Sequence, residues 1–359
     1  MRTARGARPH PGAVPLLTSG ASPAPARGSS PKVEGRAGTR SLWERVSPQG
    51  RGEGLQVTPL AHPGPPMKPA HILQALLVVL LWGLAFIATR LGLDTFTPPQ
   101  LTALRFAIAA LPALVVARPP VSWGQLLGVG LTLYTGQFLF QFFGIAAGMP
   151  VGLAALVVQT QALFTILFGR LLLGERLTRR QALGLLCAVG GLALIAGSLG
   201  GQVPLWGFAL TLASAVSWGL GNVALKRLPP VDTVRLAAWL SLVPPLPALG
   251  VALAVNGRNA WRLLPGASWV GVGALLYLGV ISTVGAYGLW GRLLQRYPTA
   301  LVAPFALLIP FVAAGASAVV FGERFGPWRL AGMALVLLGL AILVWPPARR
   351  AGATPALTG

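Results

Sequence analysis

From residue 70 onward the chain alternates long apolar runs with short polar gaps. Ten runs stand out, at roughly 72–91, 99–117, 124–146, 150–172, 181–199, 205–226, 233–255, 268–291, 299–321 and 327–345. Each is close to the ~20 residues an α-helix needs to cross a bilayer. Inside lipid a backbone must hydrogen-bond within its own segment, so such runs predict helices packed as a bundle. The expected fold is an all-α integral membrane protein with ten transmembrane helices.

The runs repeat. LLLGERLTRRQALGLLCAVGGLAL begins at Leu171 and VVFGERFGPWRLAGMALVLLGLAI begins at Val319, 148 residues later, so that Glu175 matches Glu323. Pro150 and Pro298 differ by the same 148, each placed to open a helix. LLWGLAF (80–86) resembles VSWGLGN (216–222), pairing Trp82 with Trp218. LPAL recurs at 111–114 and 246–249, pairing Pro112 with Pro247 at a shift of 135. One insertion, NGRNAWRLLPGAS against ARPPVS, accounts for the change of shift. Runs 1–5 (70–199) therefore repeat as runs 6–10 (205–346). Five is odd, so the halves enter the membrane from opposite sides. Inverted repeats are typical of secondary transporters, which bind substrate near the bilayer midplane between the repeats.

Composition supports the membrane reading, with 54% hydrophobic and 10% charged residues against about 25% charged in an average soluble domain. The net charge of +21 does not indicate a nucleic-acid partner, because ten of the 28 Lys and Arg lie in the first 70 residues and most others in the gaps. The gaps after runs 2, 4, 6 and 8, with the C-terminus, hold 12 of them, including Arg176, Arg179, Arg349 and Arg350. The opposite gaps hold five: Arg90, Arg258, Arg262, Arg324 and Arg329. The positive-inside rule then puts both termini in the cytoplasm. Residues 1–66, rich in Arg, Gly and Pro, have too few apolar side chains to fold and are expected to be disordered. Met67-Lys68 reads as a natural start, with 1–66 an over-extended gene start; peptides from before Met67 in the natural protein would reject that. Residues 347–359 form a short cytoplasmic tail.

WGLAF, PPQLTALRFAIAALPAL, GMPVGLAALVVQTQALFTILFG, GERL and the second GERF resemble the EamA-type drug/metabolite transporters over about residues 70–346. The chain is most similar to that family's bacterial O-acetylserine/cysteine exporter branch. The resemblance implies a ten-helix, inner-membrane exporter of small amino-acid metabolites. The branch often carries Asn where this chain has Ala85, whereas the second half retains Asn222.

Intramembrane polar groups are costly and mark candidate sites. Arg105 is the one charge well inside a predicted span, and its counterpart at the LPAL shift is Leu240. It reads either as a cationic contact for a substrate carboxylate or as an Arg that snorkels to the headgroups. Gln137 and Gln141 share a helical face; they, with Gln159 and Gln161, can bind a zwitterion or bridge helices. Trp82 and Trp218 fall mid-run, as cavity walls or as a repeat-related packing pair. Asn222 and Tyr287 complete the candidate substrate contacts. Pro112 and Pro247 are candidate hinges, or simple kinks. Gly124/Gly128, Ala215/Gly219 and Ser217/Gly221 are small residues at helix-packing spacing. Glu175 and Glu323 are expected just before helix starts, where a carboxylate favours exposed N–H groups, and at the rims of gates on opposite sides of the membrane.

No His or Cys cluster has metal-ligand spacing, no P-loop is present, and no cofactor is expected. The acids past residue 66 are Asp94, Glu175, Asp232 and Glu323, all near run ends. The chain reads as a non-enzymatic secondary transporter exporting a small zwitterionic amino-acid metabolite, such as cysteine or O-acetylserine, across the inner membrane by alternating access. Efflux of apolar amines or drugs, and a non-transporting scaffold, are the alternatives.

Overall fold

The computed structural model describes residues 67–198, 204–257 and 266–344. The expected tail 1–66, Arg258, Arg262 and the segment 347–359 lie outside these residues.

The first half contains α1 (Pro69–Leu93), α2 (Pro98–Ala109) ending in a 3-10 turn (Leu111–Leu114), and α3 (Trp123–Val129). A π-helical stretch (Gly130–Gly136) leads into α4 (Gln137–Ala146), followed by α5 (Val151–Gln159), α6 (Gln161–Leu173) and α7 (Arg179–Gly197). The second half contains α8 (Leu205–Lys226), α9 (Thr233–Leu240), α10 (Pro245–Asn256) and α11 (Trp269–Leu276). A second π-helical stretch (Tyr277–Ala286) continues into α12 (Tyr287–Arg296). A helical run over 299–321 then comprises α13 (Thr299–Val302), a 3-10 stretch (Ala303–Leu308) and α14 (Ile309–Phe321), and α15 (Pro327–Val344) follows.

Local chemistry sets these limits. Thr97, Ser122 and Thr178 form capping boxes with Gln100, Gln125 and Gln181, and the Asp232 carboxylate accepts from the N–H of Arg235 at 2.7 Å; each satisfies a helix-start donor. α6 and α14 both stop at a left-handed glycine, Gly174 (φ 68°) and Gly322 (φ 67°), a conformation that glycine adopts without strain. No strand occurs among the described residues. Among the described residues eight helical runs are long and apolar enough to cross a membrane. The second predicted run is instead the shorter α2 and its 3-10 turn, because Pro112 lacks the N–H that would extend the α-helix. The tenth corresponds to an apolar helix over Pro327–Leu343.

The repeat extends beyond the sequence matches. Thr135 and Thr283 differ by 148, and each donates to the carbonyl five residues back, Gly130 at 3.2 Å and Leu278 at 2.7 Å. Both π-helical stretches thus share a side-chain bond of π spacing. A joint at Thr160 separates α5 from α6, and Leu308, again 148 residues on, ends the 3-10 stretch before α14. α7 and α15 pack backbone to backbone. A Cβ added at Gly191 would lie 2.7 Å from the Gly332 carbonyl oxygen, and one at Gly339 2.6 Å from that of Gly184. Gly184 and Gly191 are the repeat mates of Gly332 and Gly339, so these mates cross antiparallel. Gly219 and Gly221 also allow close approach, against Phe164 and Leu133. Gly124 and Gly128 do not, since nothing lies within 4 Å of an added Cβ.

Candidate functional site

A cavity of about 850 Å³, counting its open mouth, lies among helices of both halves. Seven of the predicted contacts line it: Trp82, Arg105, Gln141, Gln159, Gln161, Trp218 and Tyr287. Sequence reasoning missed Phe86, Phe138, Thr89, Ser282 and Trp290, which also line it.

Arg105 projects from α2 and is only 3% exposed, so it does not snorkel out of the bundle. Its Nε donates to Thr283 Oγ1 at 3.0 Å. The Thr283 hydroxyl hydrogen is directed to Leu278 O, which leaves an oxygen lone pair for the guanidinium. The guanidinium carbon lies 4.1 Å from the Phe138 ring centroid, a cation–π arrangement. Among the described residues the ion pairs are Arg90–Asp94 and Lys226–Glu175, so no carboxylate compensates Arg105. A buried charge without a counter-charge is expensive, and the open position is on the cavity side. Leu240, its repeat counterpart, is buried in apolar packing.

Aromatic rings form the rest of the wall. Trp82 meets Tyr287 edge-on at 5.0 Å between centroids and lies 5.3 Å from Trp290, while Trp218 lies 6.4 Å from Phe138. The Trp82 indole N–H donates to Ser282 O at 3.2 Å, tying α1 to the second π-helical stretch. Tyr287 also borders a second, smaller cavity lined by Pro112, Tyr134 and Thr283. That places Pro112, a predicted hinge, beside the Tyr287 partition; Pro247 sits in the first turn of α10, where its missing N–H costs nothing.

The amides divide. Gln159 Nε2 donates to Ala306 O at 2.7 Å and so joins the two halves across the cavity. Gln137 does not line the cavity: it is fully buried and its Nε2 donates to Gln141 Oε1 at 2.6 Å, holding the residue that does. Asn222 also lies elsewhere, with Nδ2 donating to Thr165 Oγ1 at 3.0 Å between α8 and α6. Gln161 Oε1 and Ser282 Oγ, both on cavity-lining residues, are buried acceptors with no protein partner.

Glu175 and Glu323 correct an expectation. Neither caps the helix that follows it, because non-helical chain separates each from α7 and α15, and α7 is capped by Thr178 instead. Glu323 accepts from the backbone N–H groups of Val151 and Gly152, at 2.5 and 3.0 Å. Glu175 accepts from Lys226 Nζ at 3.0 and 3.3 Å. They remain two separate sites. No group of three or more His, Cys, Asp or Glu that could hold a metal occurs among the described residues.

Long apolar helices in two related halves around an interior cavity define a multi-pass helical membrane protein. The sequence pattern of the EamA-like transporter family matches residues 70–197 and 205–345, and the chain belongs to that family. A probable amino-acid metabolite efflux pump of Salmonella typhimurium (strain LT2) is 43% identical over 279 residues, 76% of this chain and 93% of its own. The protein of the same name from Escherichia coli (strain K12) is 42% identical over 279 residues, again 76% of this chain and 93% of its own. A crystal structure with TM-score 0.52 and 21% identity covers 77% of this chain and 97% of that one, and shares the fold. The chain is a multi-pass protein of the bacterial inner membrane.

Proposed function

We propose that this chain is a secondary transporter that exports small carboxylate-bearing amino-acid metabolites, of the cysteine and O-acetylserine kind, by alternating access. Arg105 carries the reading. It is a buried cation without a counter-charge among the described residues, fixed by Thr283 and Phe138 with its remaining N–H groups available to a carboxylate. Gln161 and Ser282 supply unpartnered acceptors suited to an ammonium group, and the indoles pack against an uncharged body. The relatives named as amino-acid metabolite efflux pumps support the substrate class. Aromatic walls also suit apolar drugs, but a lone cation opposes amines. Ala85, at the position where the resembled branch often carries Asn, is on the wall and bears on which metabolite is preferred.

The topology we propose is ten spans in two inverted repeats of five, with both termini cytoplasmic. The antiparallel glycine crossing of α7 and α15 supports the inversion. Uptake of labelled cysteine and O-acetylserine into everted vesicles tests the function directly. Transport of either that competes with the other is expected. No transport of any cysteine-pathway metabolite would reject the substrate class.

A further inference from the structure

We propose that Glu323 and Glu175 are paired positioning residues that decide which end of the cavity is closed: Glu323 holds one end shut in the state observed, and Glu175 takes the matching role at the other end when the cavity reverses. The inference rests on the alternating-access reading above.

The Glu323 end is drawn together by a carboxylate on backbone N–H groups. Its carboxylate oxygens accept from the first two N–H groups of α5, donors that have no partner within that helix. This ties the chain just beyond α14 to the start of α5. The helices are in direct contact there: a Cβ added at Gly152 would lie 2.7 Å from Ala314 Cα and 2.9 Å from Ser317 Oγ. Carboxylate and small residues therefore act together, one supplying charge at a helix start and the others the close approach.

The 148-residue shift maps each part of this seal onto the other half. Glu323 maps to Glu175, Ser317 to Gly169, and Val151 and Gly152 to Thr299 and Ala300. Pro150 precedes α5 as Pro298 precedes the helical run 299–321. The chain turns alike at both acids, with Glu323 N–H donating to Ser317 O at 3.4 Å and Glu175 N–H to Gly169 O at 3.3 Å. Yet the carboxylates behave differently. Both oxygens of Glu175 are held by Lys226, and the group lies over Gly169, where an added Cβ would come within 2.5 Å of Oε2. Gly169 is the position against which residue 300 would pack if this end closed as the other has. The carboxylate thus rests in the place its helix partner would occupy. The holding ion pair is weak, because Lys226 and Glu175 are 46% and 47% exposed, so exchange is cheap.

The test uses the full chain with Cys187→Ser and a reporter cysteine, Ala306→Cys, on the cavity wall. A membrane-impermeant maleimide is applied to everted and right-side-out vesicles, and the ratio of the two labelling rates is read. Glu323→Ala is expected to shift that ratio by about tenfold, as when a charge-assisted hydrogen bond present in one state is lost. Glu175→Ala is expected to shift it the opposite way. Lys226→Gln breaks the same ion pair as Glu175→Ala but frees the carboxylate, so it should act like Glu323→Ala; it touches neither capped helix and serves if Glu323→Ala does not fold. Equal shifts from Lys226→Gln and Glu175→Ala would overturn the proposal and leave a structural ion pair. Ratios that respond to cysteine but to none of the variants would overturn it while leaving alternating access intact. Ratios that respond to neither would overturn alternating access as well.

Discussion

On the function proposed above, Arg105 concentrates the recognition in one side chain. A hydrogen bond to a charged group contributes about 1.5–3 kcal/mol, so Arg105→Gln should raise KM for transport by roughly tenfold to a hundredfold in proteoliposomes. Arg105→Lys keeps the charge but loses the Nε bond to Thr283 and the planar fork, and should recover only part of the loss. Thr283→Val leaves the cation but removes its anchor; a KM rise of a few fold with a nearly unchanged Tm is expected. Asn222→Ala should do the reverse, lowering Tm by the loss of a helix tie of about 0.6–1.7 kcal/mol while substrate preference stays the same. Arg105 was legible in the sequence because a lone charge within an apolar run, with Leu opposite it in the repeat, has no packing rationale. Asn222 and Gln137 were not separable from Gln141 and Gln161, since an amide facing a cavity and one facing a neighbouring helix have the same sequence signature. Thr283 and Ser282 were missed because hydroxyl residues are ordinary in membrane helices, and a π turn sets where these two point.

Among the elements, the two glycine pairs between α7 and α15 leave no space for a side chain. Gly191→Leu should destabilise the protein by at least the 1–3 kcal/mol typical of overpacking, seen as loss of the monodisperse peak on heating in detergent. Gly124→Leu, which meets no neighbour, should leave that profile unchanged. Hydropathy identified the long helices well, because their length and apolar content are properties of single segments. It overran α2, where a proline ends the α-helix inside an apolar run. The crossing of repeat mates and the paired π-helical stretches depend on contacts between segments far apart in the chain. The shift of 148 aligned the right residues but could not say which of them touch.

For the whole molecule, the charge inventory bears on energetics. Among the described residues no Asp, Glu or His lines the cavity, so none of the described lining side chains is a carboxylate or imidazole that would exchange a proton for substrate near neutral pH. An imposed pH gradient without a membrane potential should leave initial uptake into everted vesicles unchanged, whereas preloading with unlabelled substrate should accelerate exchange. A proton-driven rise would require a carrier away from this cavity.

The glycine crossing has a mechanical meaning. At these glycines backbone rests on backbone, with Ile195, Val336 and Leu343 packed tightly against it, so α7 and α15 interlock rather than slide. They can serve as the stator against which the remaining helices turn. Bridging cysteines placed at Gly190 and Leu335, positions that face each other across this seam, with a short bis-maleimide should then leave transport running, whereas a bridge between α5 and α14 should arrest it.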